Sequence, residues 1–196
     1  RALKENGYVL RTRKEKKKKK IEYKTTLKYR SPDRYLSAFE NLSSPERGKL
    51  KFEEDIIPPF DSKFSQSRSI KSDQPLSLNT FRDVTGLFPG LMGLEMRGIK
   101  IPSTTPLMQV GNFKAYEIVR EFEKFRFDSE TDMNASLSFW YLLNNENERP
   151  LVGEFSFAYD APGKKADMED FSKETVVGAN QLFGSLQKQK DWINFD

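Results

Sequence analysis

Basic side chains occupy alternate positions in two stretches near the N terminus. Arg11 and Arg13 alternate with Leu10 and Thr12 in YVLRTR, and Lys28 lies in the alternating stretch IEYKTTLKYR. Alternate residues of a β-strand point to opposite faces, so each stretch directs its charges to one face. Arginine can hold phosphate oxygens through two parallel hydrogen bonds. The pattern predicts strands whose charged face binds a phosphate-containing anion, with an ordinary solvated face as the alternative.

The composition excludes several other kinds of chemistry. The 196 residues contain no cysteine and no histidine, which rules out a disulfide scaffold, a Cys/His zinc site, a cysteine nucleophile and a Ser-His-Asp relay. No apolar run approaches the roughly 20 residues that a transmembrane helix needs. We therefore expect one soluble domain over residues 1–196, with no membrane partner. The absence of disulfides is also typical of a cytoplasmic protein.

Charge is distributed unevenly along the chain. Residues 1–34 hold 14 Lys/Arg against 4 Asp/Glu, a net charge of +10, whereas residues 35–196 hold 19 against 25, a net charge of −6. The run Lys16 to Lys20 contributes five of the positive charges. Because it lies between two alternating stretches, we predict that it forms a solvated hairpin loop. Nuclear import and nucleic-acid contact are the alternatives for this run.

The same alternation predicts five further strands. They are KLKFEEDI, KFSQSRSIK, FKAYEIVREFEKFRF, ASLSFWYLL and LVGEFSFAYD, and the polar turn NNENERP joins the last two. In FKAYEIVREFEKFRF the parity of the apolar residues switches between Phe122 and Phe125, which predicts a bulge. The chain is therefore expected to be rich in antiparallel strands.

Three stretches predict helices. SPDRYLSAFENLSSPERG has Ser31 as a candidate N-cap, with Leu36 and Phe39 expected to face inward. NTFRDVTGLFPGL begins at Asn79 or Thr80 and is ended by Pro89 and Gly90. The third is DMEDFSKETVVGANQLFGSLQKQKDW, whose apolar stripe comprises Phe171, Thr175, Val176, Ala179, Leu182, Phe183 and Leu186.

Two stretches resemble a known family. ALKENGYVLRTRKEKKKKKIEYKTTLK resembles the CYTH superfamily, the triphosphate tunnel metalloenzymes, in which Leu-x-x-x-Gly-x-x-Leu-Arg-x-Arg is followed by a Thr-Leu-Lys strand. RPLVGEFSFAYD resembles the late strand of that family, which carries acidic metal ligands. The resemblance implies an α+β fold in which an antiparallel eight-stranded β-barrel or tunnel has a few flanking helices. Residues 163–196 would form a C-terminal helix packed on the barrel.

The resemblance also implies site residues. The family includes inorganic and thiamine triphosphatases and a class of adenylate cyclase, and it binds a triphosphate with Mg²⁺ or Mn²⁺. Glu154 resembles one of its metal ligands. The positions that resemble its phosphate-binding residues are Arg11, Arg13, Lys28, Arg68 and Arg120.

Departures from the family pattern leave three functions open. The family's opening strand, with an alternating Glu-x-Glu-x-Lys, has no counterpart here, and a catalytic function requires it upstream of Arg1. Ser156 replaces the glutamate expected two residues after Glu154, and Trp140 and Tyr141 stand where the family tends to place an aspartate. One function is a metal-dependent phosphohydrolase, and a second is binding of a phosphorylated small molecule or polyphosphate without turnover. Binding of nucleic acid or an acidic partner through the basic hairpin ranks third. The pattern does not define an oligomeric state.

Overall fold

The computed structural model describes residues 2–17, 20–57, 61–112, 114–127, 132–143, 149–159 and 173–188. The chain divides into two compact units, Arg1–Met108 and Gln109–Asp196. Antiparallel sheets of four and three strands with a few short helices confirm the predicted α+β class. No closed barrel is found among the described residues, and the single domain over 1–196 stays a prediction. Nowhere in those ranges is a helix both long enough and apolar enough to cross a membrane.

The first unit contains a four-stranded antiparallel sheet and four short helices. The strands lie in the order β1-β2-β4-β3, and each coincides with a predicted strand. Their bounds are β1 Tyr8–Lys17, β2 Lys20–Ser31, β3 Gly48–Ile57 and β4 Asp61–Ser72. The helices are α1 Ala2–Glu5, α2 Arg34–Phe39, α3 Phe81–Leu87 and α4 Gly93–Met96, with a 3-10 turn over Pro89–Met92.

The hydrophobic core of this unit lies on one face of the sheet. Tyr8 from β1, Leu27 from β2 and Ile70 from β4 point to the same side, because the register places them at matching parity. Helices and connecting segments cover them with six further buried side chains, Leu42, Phe81, Val84, Phe88, Leu91 and Leu94. The other face of the sheet is left to polar and charged side chains.

A glycine makes the entry into β1 possible. Gly7 has a φ of 81°, in the left-handed region, and its carbonyl accepts a hydrogen bond from the Arg30 backbone N–H at 2.9 Å. A Cβ at this position would lie 2.9 Å from the Arg30 carbonyl oxygen. The chain therefore reverses at Gly7 close against β2, which aligns β1 with its neighbour.

A polar network around the buried Tyr8 ties β1 to the helical layer. The Tyr8 hydroxyl donates to Glu40 Oε1 at 2.5 Å and accepts from Arg97 Nη2 at 2.7 Å, while Arg97 also donates to both Glu40 carboxylate oxygens. Burial raises the pKa of Tyr8 above its ordinary value, and the hydrogen bond to Glu40 raises it further. The phenol therefore stays neutral and holds the two charged groups together.

The lysine run lies at the end of the β1–β2 hairpin, as predicted, but three of its residues belong to the strands rather than to a loop. β1 and β2 stay paired through the Lys16–Ile21 and Lys17–Lys20 positions, so that prediction is wrong for Lys16, Lys17 and Lys20. The backbone ladder satisfies the polar groups of both strands, and alternation sends successive residues to opposite faces. Lys18 and Lys19 lie outside the described residues.

Helix α2 faces the opposite way from the prediction. Its N-cap is Asp33 rather than Ser31, and the Asp33 carboxylate accepts from the Leu36 backbone N–H at 2.9 Å. Leu36 and Phe39 are exposed, not inward. Ser37 is buried instead, because its hydroxyl donates to the Phe64 carbonyl of β4 at 2.9 Å. This polar contact sets which side of the helix meets the sheet.

The described part of the second unit contains a three-stranded antiparallel sheet and one longer helix. The strands lie in the order β5-β6-β7, with β5 Ala115–Glu121, β6 Met133–Leu142 and β7 Val152–Tyr159, and the helix α5 covers Lys173–Lys188. β5 ends at Glu121, and Phe125 then bridges Met133, so regular strand stops where the parity switch predicts a bulge. Gly178 of α5 lies against the Phe127 ring, and Thr175 and Ala179 are buried. The predicted Phe171 lies outside the described residues.

We predict that Gly90→Ala destabilises the protein, whereas Gly86→Ala does not. A Cβ at Gly90 would collide with the Asn41 carbonyl oxygen, and this backbone cannot yield as a flexible side chain would. Overpacking of this kind costs about 1–3 kcal/mol or more. A Cβ on Gly86, within α3, meets nothing within 4 Å, and Ala there is expected to add about 0.5–1 kcal/mol of stability. Free energies of unfolding from urea titration measure both, and equal stability of the two variants would contradict the prediction.

Candidate anion-binding site

The register of the four-stranded sheet brings distant basic residues together. Directly paired residues of neighbouring strands lie on the same face, and a set paired across the sheet forms a row. Two adjacent rows on the face opposite the core contain five basic side chains, two hydroxyls and no carboxylate. We call them the two basic rows, and their members are Arg13, Lys24 and Lys71 in the first and Arg11, Thr26, Ser69 and Lys49 in the second.

The floor between these cations consists of small hydroxyl side chains. Thr26 is buried, and its Oγ1 lies 2.9 Å from Ser69 Oγ. Arg13 and Lys24 are half-buried, whereas Arg11 and Lys49 are exposed. Lys24 and Lys49 make no ion pair with any residue that the structure describes. The rows therefore combine long cationic side chains with a polar floor, an arrangement that suits an anion with several oxygens.

The predicted Lys28 lies on the same face, in the next row, but two carboxylates compete for it. Its Nζ lies 3.6 Å from Glu53 Oε2 and 3.8 Å from Asp55 Oδ2. Arg30 also donates to Asp55 Oδ2 at 2.8 Å. Lys28 is thus part of a charge network in the described state, and an anion would have to displace Glu53 or Asp55 to engage it fully.

The ionisation of Glu53 reflects this network. Burial would raise the pKa of Glu53, but the hydrogen bond from Lys51 and the positive charge of Lys28 outweigh burial and lower the pKa below its ordinary value of 4.5. Glu53 is therefore a carboxylate at neutral pH. It neutralises part of the charge at this end of the face.

Carboxylates also border the other end of the basic rows. Glu15 and Glu22 pair directly across β1 and β2, one row beyond Arg13 and Lys24. Lys71 Nζ lies 2.6 Å from Glu22 Oε1, and this hydrogen bond raises the pKa of Lys71. Carboxylates therefore limit the basic rows to a short length of the sheet.

Arg68 does not share the face of the other predicted phosphate-binding residues. It pairs with Leu27 and Leu50, so its side chain leaves the sheet on the core side. Its Nη1 lies 3.4 Å from the Gly48 carbonyl oxygen, and its buried Nε has no partner among the described residues. The sequence contained the signal: Arg68 has the parity of Phe64 and Ile70, which belong to the apolar face.

Arg120 and Glu154 lie in the second unit, on opposite faces of their sheet. Arg120 pairs with Leu137, which pairs with Phe155, whereas Glu154 pairs with Ser138, which pairs with Val119. The three-stranded sheet therefore does not bring the predicted arginine and the predicted metal ligand together. Both side chains are exposed.

The donors around Glu154 do not fit a Mg²⁺ or Mn²⁺ centre. Glu117 and Glu121 share its face but belong to β5, two strands away. A shallow cavity of about 260 Å³ on this face offers one carboxylate, Glu121, beside the Ser136 and Ser156 hydroxyls. In the described ranges no three Asp or Glu side chains come together as metal ligands. The described residues around Glu154 therefore bring together too few carboxylates for a Mg²⁺ or Mn²⁺ site.

Comparison of the chain with protein-family models, with curated proteins and with solved structures gave no match. The CYTH resemblance therefore stays a prediction, based on the residues quoted for it. Lys24, Lys49 and Lys71 are site residues that the resemblance did not indicate. Only the cross-strand register places Lys49 and Lys71 in the same rows as Arg11 and Arg13, two or three strands away.

We predict that Glu53→Gln lowers stability at neutral pH and that the difference disappears in acid. A carboxylate whose pKa is lowered by folding contributes stability above its ordinary pKa of 4.5, and that contribution is lost as the pH falls through the folded value. Unfolding free energies of wild type and variant should therefore converge below about pH 4. Glu54→Gln is the control, since Glu54 lies on the opposite face and bonds Ser62. A difference in unfolding free energy between wild type and Glu53→Gln that stays constant at all pH values would contradict the lowered pKa of Glu53.

Proposed function

We propose that the charged face of the four-stranded sheet binds a phosphorylated small molecule or a short condensed phosphate, and that binding requires no turnover. The observation that carries the proposal is the pair of basic rows, in which five cations surround two hydroxyls without a carboxylate. Condensed phosphates present several charged oxygens close together. A condensed phosphate therefore fits a cluster of fixed cations better than a ligand with a single carboxylate does.

The electrostatics of the charged face favour an anion. Arg13 and Lys24 are directly opposite each other, and like charges in that relation destabilise a sheet. A phosphate group between them can accept a charge-assisted hydrogen bond from each of these two side chains. Because both side chains are half-buried, these interactions are screened less than they would be on an open surface.

The residues divide into those that bind and those that limit binding. Arg11 and Arg13 supply forked donors for pairs of phosphate oxygens, and Lys24 and Lys49 supply point charges at the sides. Glu53 holds Lys28 back from the ligand, since it offers that ammonium a carboxylate at 3.6 Å. The affinity of the site is thus set by a competition between the ligand and a neighbouring carboxylate.

The other functions that the sequence leaves open have less support. Metal-dependent hydrolysis needs a ligand set that the described residues do not bring together, and the eight-stranded tunnel of the CYTH family stays a prediction. The proposal rests on the four-stranded sheet alone. Nucleic-acid binding would use a long basic track, whereas carboxylates border the basic rows at both ends.

Titration calorimetry with tripolyphosphate in the presence of EDTA tests the proposal. Wild type should bind, and Arg13→Ala should weaken binding about 10- to 100-fold, because a charge-assisted hydrogen bond contributes roughly 1.5–3 kcal/mol. Lys14→Ala is the matched control: it removes a neighbouring charge from the same strand but from the opposite face. Absence of binding by wild type, or equal losses in the two variants, would rule the site out. Binding of duplex DNA in preference to tripolyphosphate would favour the third function instead.

We also predict that Glu53→Gln strengthens the binding of tripolyphosphate. Removal of the carboxylate releases Lys28 and Lys51 toward the ligand, and a gain of about 3- to 10-fold is expected from one additional exposed charge interaction. Glu54→Gln changes the same charge on the other face and should leave the affinity unchanged. Weaker binding by the Glu53 variant would mean that this carboxylate takes part in holding the ligand.

A further inference from the structure

Helix α2 presents its apolar side to solvent. Tyr35, Leu36 and Phe39 are 74%, 59% and 84% exposed. At 3.6 residues per turn these three lie within one side of the helix, and the buried Ser37 lies on the opposite side. An amphipathic surface helix normally turns the apolar side inward. The polar contact of Ser37 with β4 holds α2 in the reverse orientation.

A second apolar stripe lies on the segment that runs from the 3-10 turn into α4. Met92 and Met96, four residues apart, are 60% and 92% exposed, while Leu91 and Leu94 belong to the core. Methionine is flexible and polarisable, and it recurs on surfaces that bind other proteins. The two methionines therefore form an exposed apolar surface on the side of their segment that faces away from the core.

Two contacts hold the segments that carry these two apolar stripes next to each other. Glu40, the residue after Phe39, accepts from Arg97, the residue after Met96, at 3.0 Å. Close by, Gly90 lies against the Asn41 backbone. We call the five exposed side chains on these segments the apolar patch: Tyr35, Leu36, Phe39, Met92 and Met96.

The size and composition of the apolar patch match a protein interface. A buried aromatic side chain contributes about 150–250 Å², so five large and mostly exposed side chains offer roughly 600 Å². Ordinary monomers rarely exceed about 300–600 Å² in one patch, and a standard interface takes about 800 Å² from each partner. Aromatic residues, methionine and arginine are enriched in interfaces, whereas lysine is depleted. Residues 33–41 and 89–97, which carry the patch, contain no lysine.

The charges around the patch favour a second copy of the same chain. Residues 1–108 hold 23 Lys/Arg against 13 Asp/Glu, a net charge of +10, so most of this unit's surface would repel the same unit of another copy. The two segments that carry the patch hold three acidic and two basic residues instead. A nearly neutral face with both signs can pair with itself across a two-fold axis. We infer that the apolar patch is the self-complementary interface of a homodimer.

Sedimentation velocity of the full chain tests this inference. Wild type should sediment as a dimer, and Phe39→Ser should raise the dimer dissociation constant about 30-fold or more, as expected for a central aromatic side chain. Val9→Ser is the matched control, because Val9 is an exposed apolar residue on the charged face of the sheet, away from the helices. Thermal unfolding should show that both variants fold, since both side chains are exposed.

Three outcomes would overturn the inference. One is a wild type that remains monomeric up to concentrations on the order of 100 µM, where a standard interface should be populated. Another is a dimer that Phe39→Ser leaves intact. The third is a monomer that cosediments with phosphatidylcholine–phosphatidylserine vesicles and loses this property in Phe39→Ser, which would assign the patch to a lipid surface. The inference does not depend on the proposed anion site.

Discussion

The pairing register of the four strands β1 to β4 determines where every charge of the candidate site points. A slip of one residue would exchange the two faces of a strand and would carry its charges into the core. Tyr8, Leu27 and Ile70 prevent that slip, because all three must reach the buried side at once. The same register that buries these residues sends Arg11, Arg13 and Lys24 to the opposite face. The strand register therefore sets both the packing of the core and the position of the cations.

The register therefore places several positive charges close together on one face, and nearby carboxylates compensate some of them. Five cations in two rows repel one another, and neighbouring carboxylates compensate part of this charge. Glu22 compensates Lys71 at one end, and Glu53 and Asp55 compensate Lys28 and its neighbours at the other. Between these two ends, Lys24 and Lys49 make no ion pair in the described part of the chain. A ligand that supplies negative charge at the centre would complete the pattern.

Alternation in the sequence was sufficient to predict the strands, because a half-buried strand has a period of two whatever its partners are. It could not assign partners, so Lys49 and Lys71 were missed although each lies in the same cross-strand row as a predicted arginine. It failed at α2, where the hydrogen bond from Ser37 to Phe64 outweighs the usual inward orientation of Leu36 and Phe39. Arg68 was misplaced because its polar neighbours hid the parity that it shares with Ile70. For Arg120 and Glu154, the pairing of β5, β6 and β7 was needed to see that they occupy opposite faces.

The central claim is that one face of the four-stranded sheet is an anion site. Nuclear magnetic resonance of the ¹⁵N-labelled chain, titrated with tripolyphosphate in EDTA, addresses it most directly, since each backbone amide reports its own surroundings. We expect saturable shifts at Arg11, Arg13, Lys24 and Lys49 and at the two hydroxyl residues between them. Shifts confined to the second unit or to the Lys16–Ile21 end of the hairpin, with the basic rows unchanged, would contradict the account.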